Sequence, residues 1–428
     1  PLDKAREHMY SRAFADHETR LDFDQLFGSD KFFQKIQQRA LTQEKKIAVR
    51  SICWKVFLGI LSSKSRKSWA EEIAESRKEY QILKDKHIVN PDVEAAEADL
   101  ALNNPLSTAK DSVWSKFFQD NELCDEIRKD LSRTYSGNEF FQSREIQTQM
   151  LNILFIWAKL NPKYSYRQGM NELLAPLLLV CTKEAVKKNS TRSSSGEIIY
   201  QLLDSDFVEH DVYSLFCAVM TQMAKYFATA SKKSDTSSAV DGPLQFDAPA
   251  QEVLPIVSKC DAIHHTLLKA IDPALYSHLE KCQVAPQVYL LRWVRLLFAQ
   301  NFHIEDVVRI WDTLFATRSP RAGLVVCDHF AVAMVLYVRQ SLLEGDNSYC
   351  LRRLMKFPPV ENINVLLHQA LVMFDPSLPR PSTTHNNNAH SSSGPTGGGD
   401  YSSSSSSSIR THIWLSPASS KSLLLLLS

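Results

Sequence analysis

The stretch Arg144-Glu-Ile146-Gln-Thr-Gln-Met150-Leu-Asn-Ile153-Leu154-Phe-Ile-Trp157-Ala-Lys-Leu160 decides the fold class. Ile146, Met150, Ile153, Leu154 and Trp157 recur at the 3.6-residue spacing of one buried helical stripe. Working outward, Ile304, Val307, Val308, Trp311, Leu314 and Phe315 repeat the pattern. The run from Val288 to Phe298 is apolar nearly all round, broken only by Arg292 and Arg295, which predicts a central helix. Asp272 followed by Pro273 is a cap-then-first-turn start for a helix through His278 and Leu279. Alternating strand patterns with tight hairpin turns are scarce, so the reading is an all-α body.

The 428 residues are 44% hydrophobic and 23% charged, ordinary for a globular chain of one large domain or a few smaller ones. Lys and Arg number 49 against 48 Asp and Glu, a net charge of +1, which argues against nucleic acid as a partner held by a broad basic field. No stretch reaches the roughly 20 apolar residues that span a bilayer. Pro1 in the first position gives the expectation of a fragment of a longer chain. The eight cysteines form no C-x-x-C pair and read as reduced core thiols of a cytoplasmic protein. Neither common phosphate-loop motif is present, so nucleotide binding by the chain itself is not expected. His264, His265 and His303 have no further ligand at metal spacing, and no nucleophile elbow exists; no metal and no cofactor is expected.

Three polar stretches interrupt the helical pattern. Lys183–Gly196 and Ser231–Gly242 read as surface loops. From Pro376 the composition turns to Asn, Gly and Ser, too poor in apolar residues to offset ordering entropy, which predicts a disordered tail over 376–428. The expected organisation is an N-terminal helical extension over 1–39, one large domain over 40–375, and the tail.

Three short blocks carry the candidate chemistry. In Arg50-Ser-Ile-Cys-Trp54-Lys-Val-Phe-Leu58-Gly59, an apolar helix face with a glycine stop reads as core, with Arg50 free to tie the helix to a neighbour. In Ile127-Arg-Lys-Asp130-Leu-Ser-Arg133-Thr134, Asp130 and Arg133 are neighbours on a helix surface. They are either a solvated ion pair or an outward-pointing arginine oriented by a carboxylate. In Tyr164-Ser-Tyr166-Arg-Gln168-Gly169-Met170-Asn171-Glu172, Gln168 falls in a loop or first turn before the apolar helix Leu173–Val180, with Gly169 permitting a tight backbone.

In order, the blocks resemble the signatures R-x-x-x-W, I-x-x-D-x-x-R-T and Y-x-Q-G-M of the TBC domain family, GTPase-activating proteins for Rab GTPases. Arg309-Ile-Trp311-Asp312 matches a later family feature. The resemblance implies a two-lobed all-α TBC domain and activity on a GTP-bound Rab. By motif position Arg133 becomes the arginine finger and Gln168 the glutamine finger, both supplied in trans. Asp130, Thr134, Tyr166, Gly169, Asn171, Arg50 and Trp54 become the residues that support them. One departure is Arg133-Thr134-Tyr135-Ser136 where the family usually has Phe-Pro after R-T; the lost proline is expected to loosen the loop behind Arg133. That departure motivates an alternative, a TBC-fold adaptor that binds without stimulating hydrolysis.

Asn103-Asn104-Pro105-Leu106-Ser107 and the segment Trp114 to Asp120 resemble a retromer-associated subgroup of the family. In that subgroup the leucine of Asn-Pro-Leu inserts into the small metallophosphoesterase-fold subunit of retromer. The resemblance implies that Asn104, Pro105 and Leu106 contact retromer and that the chain reaches endosomal membranes only through partners. It also implies the late-endosomal, seventh-numbered Rab as substrate. From the residues alone, Leu106 after a turn-forming Asn-Pro is an exposed anchor or folds back onto the domain.

Overall fold

The computed structural model describes residues 17–88, 113–187, 198–228, 253–319 and 321–382, with backbone alone at 113–117. Every regular element among the described residues is helical; two isolated bridges, Val186 with Asp204 and Ser319 with Gly323, are the only extended pairings there. The all-α reading stands. Among the described residues, no helix is long and apolar enough to cross a membrane.

The predicted stripes become helices with definable ends. The Ser143 hydroxyl accepts the Ile146 N–H and opens the helix Arg144–Leu160, whose stripe from Ile146 to Trp157 is buried. Asp272 accepts the Leu275 N–H ahead of Pro273–Lys281, with Pro273 in its first turn. Gly59, at φ 83°, follows the helix Arg50–Phe57 in the left-handed conformation that stops it.

Two expectations are corrected. The apolar run Val288–Phe298 is not one helix: Pro286–Arg295 ends it, and a turn follows in which Leu297 has φ 45° and Phe298 φ 67°. Two successive non-glycine residues in the left-handed region are strained, and they persist only where the surroundings hold them. Here both are fully buried, and Trp311 donates its indole N–H to the Leu297 carbonyl at 2.9 Å. The apolar pattern here reports burial and not a continuous helix. The central position belongs instead to Met170–Glu184, buried without a break from Met170 to Cys181. It packs on Arg50–Phe57, Arg144–Leu160, Val208–Met223 and Ile304–Ala316.

The second correction concerns Lys183 and Glu184, which complete that helix rather than begin a surface loop. Glu184 turns inward and accepts the backbone N–H groups of Arg50 (2.9 Å) and Ser51 (2.8 Å), two donors that a helix N-terminus leaves unpaired. Burial pushes its carboxyl up to about 7. Residues 188–197 and 231–242, and the tail beyond 382, lie outside the described residues.

A buried ionic cluster joins Trp69–His87 to Val208–Met223. Lys55, 1% exposed, reaches Asp211 at 2.7 Å and the Leu202 carbonyl at 3.0 Å, while Arg77 forks onto both Asp211 oxygens at 2.8 Å. Burial pushes the Asp211 carboxyl up, but Lys55 and Arg77 together hold it below the usual carboxylate value. Glu209 accepts from Tyr80 (2.7 Å) and Lys84 (2.9 Å) beside them. All eight cysteines are free thiols; Cys53, Cys181, Cys260, Cys327 and Cys350 are buried, and burial raises the pKa of each.

Candidate functional site

Arg133 follows the helix Val113–Leu131, in a turn where its N–H bonds the Asp130 carbonyl. Ile127 and Leu131 are buried and anchor this helix end. The Arg133 side chain is 60% exposed, whereas that of Asp130 is 7% exposed, and the guanidinium donates to Asp130 Oδ1 at 2.5 Å. The helix therefore presents a cation whose base is fixed from below. Thr134, fully buried, donates its hydroxyl to the Asp130 carbonyl at 2.9 Å.

The Gln168 block forms an irregular turn between Arg144–Leu160 and Met170–Glu184. Asn161 accepts the N–H groups of Tyr164 and Ser165, and Ser165 at φ 52° reverses the chain. Tyr166 is then driven inward, Gln168 outward into solvent. Gly169 is required by its φ of 100°, a conformation that other side chains rarely adopt, and Leu296 Cδ2 lies 2.6 Å from where a Cβ would stand.

The two turns, far apart in sequence, share one buried joint. Tyr166 donates its hydroxyl to Asp130 Oδ2 at 2.7 Å, the oxygen that Arg133 does not use. Burial and that hydrogen bond raise the Tyr166 phenol, so it remains a donor. Asn171, 3% exposed, donates to Thr134 Oγ1 at 2.8 Å and accepts the Gly169 N–H at 3.1 Å. Asp130, Thr134, Tyr166, Gly169 and Asn171 thus form one network beneath two exposed tips, a guanidinium and an amide.

The loop behind Arg133 is fastened despite the missing proline. Tyr135 stacks on Phe141 with ring centroids 5.1 Å apart, and its hydroxyl donates to the Ala299 carbonyl at 3.1 Å. Its φ is 42°, a conformation that a proline at the next position would disfavour, so Ser136 suits the turn this chain makes.

Arg50 and Trp54 belong to a second joint, centred on Asp312 of the Trp-Asp pair. Asp312 is 1% exposed and accepts from Arg50 Nε (2.9 and 3.0 Å), Trp54 Nε1 (2.9 Å) and Gln43 Nε2 (2.8 Å). Arg309 closes the same region by donating to the Ala40 and Leu41 carbonyls near the end of Phe32–Thr42. Burial lowers its pKa to about 10. Trp54, Trp311 and Phe315 pack as one aromatic group, with Trp54 and Phe315 edge to face at 5.3 Å. Arg50 therefore ties its helix to a neighbour and lies apart from the exposed tips.

Some groups escaped the sequence reading. Glu172 is buried, its carboxyl raised by burial, and it accepts from Gln300 Nε2 at 3.2 Å; the pair is separated by 128 residues, and no local pattern signals it. Glu280 comes within 3.2 Å of His264 and 4.0 Å of His265, a third candidate ligand that the spacing does not reveal. His278, Cys282 and Cys350 form a second such group. In both, hydrogen bonds already engage ligand atoms: His264 Nδ1 with the Tyr289 hydroxyl at 2.9 Å, His278 Nε2 with the Gly345 carbonyl at 3.0 Å. Asn104, Pro105 and Leu106 lie outside the described residues.

Comparison with known proteins bears on this architecture. Residues 47–343 match the family model described as the Rab-GTPase-TBC domain. TBC1 domain family member 5 from Mus musculus is 37% identical over 373 residues, and its Homo sapiens counterpart 36% over 371, each alignment covering 85% of this chain. The chain spans 45% and 46% of those relatives' lengths. The crystal structure of the Ypt/Rab-GAP domain of Gyp1p superimposes with a TM-score of 0.59 at 18% identity, covering 83% of this chain and 97% of that one, a likeness of fold. With the three motifs in order on an all-helical body, the chain belongs to the Rab-GTPase-TBC domain family.

Proposed function

We propose that this chain accelerates GTP hydrolysis on a Rab GTPase, supplying Arg133 and Gln168 in trans. The observation that carries the reading is the shared joint: Asp130–Tyr166 and Thr134–Asn171 hold two turns together while both tips stay exposed. A small GTPase brings its own nucleotide, phosphate loop and magnesium, but hydrolyses slowly. The Arg133 guanidinium then stabilises charge developing on the transferred phosphoryl group, an effect worth about 10³–10⁵ in rate. The Gln168 amide orients the attacking water in place of the Rab's own glutamine. No covalent intermediate forms on this chain.

The adaptor alternative draws its motive from the lost proline behind Arg133; the Tyr135 and Asn171 contacts, which hold that loop, support the activating reading. Single-turnover hydrolysis over a panel of GTP-loaded Rabs, the late-endosomal seventh-numbered Rab included, tests the activating reading. Arg133→Ala and Gln168→Ala should each abolish most of the acceleration. Rates for wild type and both variants equal to that of the Rab alone would favour the adaptor. Recruitment to endosomes is assigned to Asn104-Pro105-Leu106 on the retromer subunit, on subgroup resemblance. Leu106→Glu should abolish retromer binding and spare hydrolysis; undiminished binding would refute the anchor.

A further inference from the structure

The strained turn after Pro286–Arg295 touches both exposed-tip loops. Its Ala299 carbonyl accepts from the Tyr135 hydroxyl, two residues beyond Arg133. Its Gln300 side chain donates to Glu172, four residues beyond Gln168. Its Leu296 side chain fills the space against Gly169 that a Cβ would occupy. From behind, Trp311 holds the Leu297 carbonyl, and Phe298 packs edge to face on Phe330 with centroids 4.7 Å apart. A turn held in an unfavourable backbone conformation by its surroundings, and in contact with both functional loops, is a stiff platform rather than a passive connector.

We propose that the turn 296–300 positions the Arg133 and Gln168 tips relative to one another, acting through Tyr135 and Gln300 as positioning residues. This inference rests on the GTPase-activating reading above. The Asp130–Thr134–Tyr166–Asn171 joint fixes the bases of the two loops; the turn fixes their outer flanks. Two attachments per loop restrict rotation about the joint, which a single hydrogen-bonded hinge leaves free. Misplacement of about 1 Å at a catalytic group costs up to about 10²-fold in rate, so a modest loosening is readable.

The test uses Tyr135→Phe, which removes only the hydroxyl, and Gln300→Leu, which removes only the donor to Glu172. In single-turnover hydrolysis each should lower the maximal rate about tenfold. The half-saturating concentration should stay within twofold, and thermal melting should stay near wild type. Gln300→Arg, which still donates to the Glu172 carboxylate, should retain most of the rate. Wild-type maximal rates for both Tyr135→Phe and Gln300→Leu would overturn the proposal. So would a weaker half-saturation at unchanged maximal rate, which would mark the turn as a docking contact. Amide hydrogen exchange decides the fastening without any partner: exchange at Thr134 and Gly169 should accelerate in the double variant, and unchanged exchange would overturn it. A wild-type chain that accelerates no Rab would sink the GTPase reading alone, leaving exchange to judge the platform.

Discussion

Replacing Asn171 with alanine removes one side chain from the joint between the two exposed tips and leaves both tips intact. The consequence can be worked from the structure. The Gly169 N–H loses its 3.1 Å acceptor at a buried position, which costs about 1–3 kcal/mol for an unpaired donor. Thr134 loses the 2.8 Å bond that Asn171 donates but keeps its own donation to the Asp130 carbonyl, a loss of about 1 kcal/mol. The sum, about 2–4 kcal/mol, lies below the 5–15 kcal/mol typical of a folded protein, so the variant stays folded. Urea unfolding should show the loss as a lower midpoint at unchanged slope. The sharper reading is kinetic. With the Gln168 turn released from the Arg133 turn, stimulated GTP hydrolysis should fall about 10²-fold. Arg133→Ala combined with Asn171→Ala should be slower than Arg133→Ala alone by less than the full factor of about 10², because Asn171 acts partly through the placement of Arg133 and partly through that of Gln168. A variant that hydrolyses within twofold of wild type, or that unfolds with an unchanged midpoint, would refute the claim that this joint couples the two tips.

Gly169→Ala should destabilise by about 1–3 kcal/mol through its φ of 100° and its collision with Leu296; adding Leu296→Ala should relieve only the collision, a coupling that a double-mutant cycle in urea would measure. Asp312→Ala should cost about 3–5 kcal/mol in chemical denaturation, since it strands the Arg50 guanidinium with the Trp54 and Gln43 donors, while Asp312→Asn should cost less. The pH dependence of Asp211 follows from its lowered pKa. Its stabilisation is fully present above the unfolded value of 3.8 and lost as pH falls through the lower folded value. The unfolding free-energy difference between wild type and Asp211→Asn should therefore be constant from pH 7 to 5 and shrink below 3.8. A difference that instead grew on acidification would contradict the Lys55–Asp211–Arg77 arrangement.

How much of this was legible in the sequence follows from the range of each interaction. Helices with one buried face write a 3.6-residue period into the chain, so Ile146 to Trp157 and Ile304 to Phe315 could be read directly. Caps are equally local, as Asp272 and Pro273 illustrate. Burial without amphipathicity is ambiguous: Val288 to Phe298 and Leu173 to Val180 look alike as apolar runs, yet one breaks into a strained turn and the other continues through Pro176 as the central helix. The motif blocks disclosed which residues matter but not whom they meet. Thr134 and Asn171 are 37 residues apart, Arg50 and Asp312 are 262 apart, and Gln300 and Glu172 are 128 apart. Glu184 falls in a polar stretch that reads as a surface loop; its role as acceptor for the Arg50 and Ser51 N–H groups depends on a helix arriving from elsewhere.

The division of labour on Asp130 bears on how an arginine can be both placed and available. One carboxylate oxygen holds Arg133 and the other holds Tyr166, while the backbone carbonyl of the same residue receives Thr134. If Arg133 swings outward to a partner's phosphate, Asp130 keeps the Tyr166 hydroxyl, and the turn keeps its anchor through Thr134 and Asn171. The released contact joins a guanidinium already 60% exposed to a carboxylate only 7% exposed, so its loss costs about 1–3 kcal/mol for the buried oxygen left without its donor. That is less than the several kcal/mol an arginine contributes to a phosphoryl-transfer transition state. An arginine buried on both sides would be as well oriented but costly to move; one without Asp130 would be free but would lose rotamer entropy on every encounter. The arrangement found here, a fixed base under an exposed tip, fits a group whose reaction partner belongs to another molecule.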